Sequence, residues 1–201
     1  MVSNTTTNQM PAYPFVGLNP FSTDEAILFF GRREHTVELL QMLRQTHFIA
    51  VVGSSGCGKS SLIRAGLIPQ LKAGFLVEAR DQWRVAVMKP GEAPLKNLAN
   101  AFAASLSPSD TTADALTEIM RNGGAPALVK HCAAALAADD ANLLLLVDQF
   151  EELFRFGIES KQPDKREEAE DFVSIMLALA AQSDLPCFIV MTMRSDRKSV
   201  V

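Results

Sequence analysis

The 201-residue chain is poor in several residue types that would have signalled other kinds of protein. It has one tryptophan, one tyrosine and three cysteines. Cys57, Cys132 and Cys187 lie far apart without metal-ligand spacing, which argues against a disulfide framework or a cysteine zinc site. They read as three reduced thiols in a cytoplasmic protein. No apolar run approaches the roughly 20 residues a membrane helix needs. The start, Met1 to Thr7, has neither a basic n-region nor an apolar h-region, so no signal peptide is expected. Asn4-Thr5-Thr6 spells a glycosylation sequon that has no meaning in a cytoplasmic chain. Nor is there a Lys/Arg block interleaved with aromatics. With a formal charge of −4 and a pI near 5.4, direct nucleic-acid binding is not expected.

What the chain does have is apolar bulk and one conspicuous loop. A hydrophobic content of 48% is ample for the core of one sizeable domain. Gly53-Ser54-Ser55-Gly56-Cys57-Gly58-Lys59-Ser60 has the pattern G-x-x-x-x-G-K-[ST], a complete P-loop. Its glycines let backbone N–H groups turn inward around phosphates, Lys59 reaches the outer phosphates, and the Ser60 hydroxyl ligates Mg²⁺. Ser61 completes the candidate nucleotide-binding set. His47 to Val52 reads as a buried strand entering the loop. Ser60 to Leu67 reads as the helix whose positive end faces the anion, with Pro69 breaking the pattern and Gly74 closing the segment.

Strands and helices alternate along the rest of the chain. Trp83 to Met88, Leu143 to Val147 and Cys187 to Met191 have strand length and strand composition. Three Ala-rich helical segments are expected near 94–105, 110–121 and 125–138, the last two parted by Asn122-Gly123-Gly124. A further helix is expected from Glu167 to Gln182, and Glu159 to Asp171 reads as a solvated loop and helix start. Ser22-Thr23-Asp24-Glu25 offers an N-cap, and Val37, Leu39, Leu40 and Leu43 give a helix face before the first strand. Strands apolar on both faces imply an α/β fold with a parallel sheet covered on both sides. The expected organisation is a flexible arm at 1–14, a lead-in at 15–46, a P-loop NTPase core at 47–196 and a tail at 197–201.

Hydrolysis needs carboxylates as well as a phosphate cradle: one to hold the metal, another to polarise water. Asp148 ends the Leu143–Val147 run, where ligands of open α/β sheets sit, and is the candidate metal acid beside Ser60. Glu151 and Glu152 follow, and either is a candidate water-orienting base. Thr192 or Arg194, at the end of the last strand, is placed to sense a γ-phosphate.

Four strings in order resemble the novel STAND NTPases, relatives of NACHT and AP-ATPase proteins: PFVGLNPFSTDEAILFFGRREHTVELL, FIAVVGSSGCGKSSLIRAGLIPQL, LLLLVDQFEELF and FIVMTMRSD. They cover the chain from Phe15 to Asp196. The resemblance implies ATP or ADP with Mg²⁺ as cofactors and a nucleotide-dependent switch in signalling or defence. Activation would involve homo-oligomerisation and C-terminal sensor or effector modules. It implies that Phe30-Gly31-Arg32 and Glu34 match the hhGRxxE segment near the adenine, making Gly31 and Arg32 candidate nucleotide contacts. It also implies that Arg194 matches the arginine of a TTR-like motif, with Met193 in place of the second threonine. The implied fold is a three-layer P-loop sandwich with a sheet of the 5-1-4-3-2 type. The chain ends just after strand four, so a truncated, frameshifted or excerpted product is expected, with the fifth strand missing and the first strand open on one side.

Three other readings compete for these residues. An ABC-type ATPase needs an LSGGQ-like signature before Asp148 and a Glu after it, where residues 122–142 and Gln149 stand. A small-molecule kinase wants an Arg-rich lid, which is not evident. A nucleotide-binding switch without turnover remains open.

Overall fold

The computed structural model describes residues 19–76, 80–106, 112–157, 159–160 and 162–195. The arm at 1–14, the stretch Phe15 to Leu18, Asp196 and the tail lie outside the described residues.

Four parallel strands form one sheet in the order β1-β4-β3-β2: β1 (Phe48–Gly53), β2 (Gln82–Met88), β3 (Ala141–Val147) and β4 (Cys187–Arg194). The expected α/β architecture and strand order are therefore found, with β1 at one edge; no fifth strand occurs among the described residues. β3 shows why the sheet is sandwiched. Every residue from Ala141 to Val147 is buried, and the two-residue period of a strand divides them between two cores. Leu144 and Leu146 join Phe188 and Val190 of β4 in a cluster with α1 (Arg33–Leu43) and the helical run after the P-loop. Leu143, Leu145 and Val147 join Cys187, Ile189 and Met191 in the opposite cluster. There they pack against α4 (Pro94–Ser105), α5 (Ala113–Ala138) and α7 (Pro163–Ala180).

Several local expectations need correction. Val37 is not on the core face of α1; it is exposed, and Thr36 is buried in its place. Positions 36, 39, 40 and 43 fall on one 3.6-period face, which 37 does not share. Pro69 does not end the helix after the P-loop. The run continues as α2 (Lys59–Ser61), a wider π turn (Leu62–Leu67) and α3 (Ile68–Lys72). The Ile68 N–H bonds to the carbonyl of Ile63, five residues back. A proline ring clashes with the carbonyl four residues before it, and widening the preceding turn accommodates it. The expected parting of two helical segments at Asn122 to Gly124 is found, as a break rather than a loop. α5 is two helices run together across Gly124, whose backbone (φ 59°, ψ −155°) is not helical. α7 starts at Pro163, earlier than expected, because proline suits the first helical turn.

Register brings the strand ends together. Gly53 pairs with Arg194, Val147 with Met191, and Met88 with Val147. The P-loop, Asp148 and the end of β4 thus emerge at one rim of the sheet. No helix among the described residues is long and apolar enough to cross a membrane.

Candidate functional site

The P-loop leaves β1 at Gly53 and turns into α2 through two left-handed glycines, Gly56 (φ 75°) and Gly58 (φ 83°). Residues with a Cβ pay for that conformation, so glycine is needed at both. At Gly53 a Cβ would lie 3.0 Å from Cys57 Sγ, so a larger residue there would have to push that side chain aside. Lys59 bends back over the loop. Its Nζ donates to the carbonyls of Gly53 at 2.8 Å and Ser54 at 2.7 Å. Ser54 O also accepts from the Cys57 N–H, which tightens the Ser54–Cys57 turn around Ser55. Arg32 reaches the loop from outside, and its Nη2 donates to the Cys57 carbonyl. Gly31 just before it is also left-handed (φ 80°). Ser61 is buried, and its hydroxyl accepts the Phe21 N–H at 3.1 Å.

Asp148 is 1% exposed and sits one residue past β3, its N–H bonded to Met88 O. Three elements converge on its carboxylate. Ser60 Oγ donates to Oδ1 at 2.7 Å, Thr192 Oγ1 donates to the same oxygen at 2.6 Å, and Arg64 pairs with Oδ2 at 3.2 Å. A buried carboxylate needs such partners, since desolvation of an unpaired charge costs several kcal/mol. Thr192 also accepts the Gln149 N–H at 3.0 Å, and its carbonyl accepts the Phe150 N–H. The Thr192 hydroxyl is thus committed to Asp148, and the residue is 1% exposed. The side chain of Arg194, two residues on, is by contrast 44% exposed at the rim.

The two glutamates begin a short helix, α6 (Glu151–Gly157), and diverge. Glu151 accepts from the Nε and the backbone N–H of Arg194, both at 3.2 Å. Glu152 accepts the Gly91 N–H at 3.2 Å, in the loop after β2. The tertiary fold therefore assembles Lys59, Ser60, Asp148, Glu151 and Arg194 at one rim, and it adds Arg64. The sequence signal for Arg64 was its spacing, four residues beyond Ser60 on the same helical run. A cleft of 760 Å³ between α4, α5 and α7 contains none of these residues. A phosphate cradle of backbone N–H groups is shallow and need not coincide with a deep cavity.

Two solved structures resemble the fold. The Aeropyrum pernix ORC2 protein, described in ADPNP–ADP complexes, is 15% identical with a TM-score of 0.56, covering 83% of this chain and 41% of its own. The E. coli MS115-1 HORMA:CdnC:Trip13 complex contains a chain 14% identical, with a TM-score of 0.52, covering 90% of this chain and 62% of that one. This chain thus spans less than two thirds of either. At such identities the likeness is one of fold. No curated protein matches the chain. The family model for novel STAND NTPase 1 matches residues 14–200, a span that takes in the whole rim just described, and the chain belongs to that family.

Proposed function

We propose that this chain is the ATP-binding, Mg²⁺-dependent and hydrolytic switch domain of a STAND-type signalling or defence protein. The observation that carries this reading is the 2.7 Å hydrogen bond between Ser60 of the P-loop helix and Asp148 at the end of β3. It joins a hydroxyl and a carboxylate, both hard oxygen donors of the kind Mg²⁺ prefers, immediately beside the phosphate loop. The donor set fits the metal. Among the described residues no three His, Cys, Asp or Glu side chains converge, so the remaining ligands would be phosphate and water, as is usual for Mg²⁺. When bound, the metal would neutralise charge on the transferring phosphate. Lys59 would exchange its loop carbonyls for outer-phosphate oxygens, and Arg32 would fix the loop from the adenine side.

Isothermal titration of ATP and ADP tests the reading. Lys59→Ala is expected to abolish binding of both, and Asp148→Asn to weaken only the Mg²⁺-dependent part. Equal affinities in wild type and Lys59→Ala would overturn it.

A second reading, a switch without turnover, is favoured by the pairing of Glu151 with Arg194. Two groups needed for hydrolysis occupy each other. Carried-over ADP in the purified protein, with no phosphate release, would select this reading. Sensor modules and homo-oligomerisation would then supply the regulation.

A further inference from the structure

Asp148 has a third partner that the phosphate-site reading does not use. Arg64 lies one helical turn beyond Ser60, and both reach the same carboxylate: Ser60 takes Oδ1 at 2.7 Å and Arg64 takes Oδ2 at 3.2 Å. The Asp148 side chain is 2% exposed and that of Arg64 28%. The Arg64 Nε is buried with no hydrogen-bond partner. A guanidinium brings five donors in a rigid fork, and leaving one buried and unpaired is costly. The arginine is therefore held against Asp148 at the expense of its own hydrogen bonding, which points to charge as the reason it stays.

Resting on the nucleotide reading above, we propose that Arg64 is the internal counter-ion of the metal site. It neutralises Asp148 when no nucleotide is bound and repels a bare divalent cation, so that Mg²⁺ settles only together with the negative charge of the phosphates. The chemistry is direct. Lys59 and Arg64 are both cations at this rim, the Glu151–Arg194 pair adds no net charge, and among the described residues Asp148 is the one carboxylate bonded to Ser60. A bare divalent ion would add to a local positive excess, whereas a polyphosphate would reverse it. Arg64 acts through Asp148 and is a positioning and charge-setting residue. The site would then respond to the metal–nucleotide complex and stay indifferent to free cation.

Mn²⁺ is the probe, with free ion followed by electron paramagnetic resonance and no nucleotide present. Wild type is expected to bind Mn²⁺ weakly. Arg64→Gln is expected to tighten binding by on the order of tenfold, the scale of a nearby unit charge in a partly solvated site. Arg64→Lys keeps the charge and is expected to stay within about threefold of wild type. Arg64→Met keeps the packing of the aliphatic stem and serves the same measurement if the glutamine variant is unstable. Adding Asp148→Asn to either neutral variant should erase the gain. A merely structural arginine predicts the opposite sign, because a loosened Asp148 binds metal less well. Unchanged or weaker Mn²⁺ binding in both neutral variants overturns the proposal. Metal-free binding of fluorescent ADP, measured in parallel, separates the two ideas. Failure of ADP to bind with the Mn²⁺ gain intact would sink the nucleotide reading alone.

Discussion

Glu151 holds Arg194 by both its side chain and its backbone. Oε1 accepts from the guanidinium Nε and Oε2 from the N–H of the same residue, each at 3.2 Å. The Arg194 side chain is 44% exposed, and ion pairs that open to solvent contribute at most about 1 kcal/mol. Such a pair is easily exchanged. A γ-phosphate that draws Arg194 away would release Glu151 at the moment a water needs orienting.

Glu151→Gln is expected to slow ATP hydrolysis on the order of 10²-fold or more while sparing nucleotide binding. Glu152→Gln should be milder in turnover, since Glu152 is committed to the Gly91 N–H in the loop after β2. Single-turnover phosphate release with a parallel binding isotherm distinguishes them, using a longer form of the protein if this chain is inactive. Unchanged turnover in both variants and in their combination would remove the glutamates from the mechanism. Arg194→Ala is expected to narrow the difference between ATP and ADP affinity.

Thr192 ties three neighbours together, through Asp148, the Gln149 N–H and the Phe150 N–H. Thr192→Val keeps the shape but removes the hydroxyl, leaving the part-buried Gln149 N–H unpaired and Asp148 with one donor fewer. The expected loss is about 2–4 kcal/mol, with Thr192→Ser restoring most of it. Urea denaturation midpoints check this. A valine variant as stable as wild type would show that the hydroxyl is dispensable.

Gln149 adopts a left-handed backbone (φ 58°) directly after Asp148. A β-branched side chain resists that region strongly, and glycine does not. Gln149→Ile is expected to cost about 1–3 kcal/mol, whereas Gln149→Gly should be neutral or slightly stabilising. The ordering of the two melting temperatures is the readout.

Cys132 and Cys187 are buried in the same core cluster. Burial pushes the Cys132 thiol from 9.0 up to about 12. Burial, reinforced by Cys132, raises Cys187 as well. The unfolded chain ionises both near their ordinary value, so above pH about 9 it binds fewer protons than the folded protein. Stability contributed by the neutral thiols is complete below that pH. It is lost as pH rises toward the folded-state values, by up to about 1.4 kcal/mol per pH unit for each thiol. Denaturation midpoints between pH 8 and 11 should fall more steeply for wild type than for Cys132→Ala/Cys187→Ala. A thiol reagent at pH 8 is expected to label only Cys57 in the native protein. Parallel pH slopes, or rapid labelling of all three, would contradict this.

By itself the sequence determined whatever depends on local pattern. The P-loop is contiguous, and its Gly56 and Gly58 stand where the backbone turns left-handed. The continuous apolar run of β3 dictated burial on both faces, and with it a parallel, covered sheet. Asp148 was legible because it ends that run. The tertiary structure decided what depends on neighbours distant in the chain. Nothing local separates Glu151 from Glu152; the strand they meet does, since β4 brings Arg194 to one and the loop after β2 brings Gly91 to the other. Thr192 and Arg194 were equivalent candidates two residues apart on one strand. The pleat alone would put them on the same face. The register of β3 with β4 ends at Val147 and Met191, so the next residue, Thr192, is buried against Asp148, while Arg194 reaches the rim. Arg64 carried no motif at all, and its role exists only because the helix after the P-loop is laid across the end of β3. Charge partners are chosen by distance in space, which a one-dimensional pattern does not record.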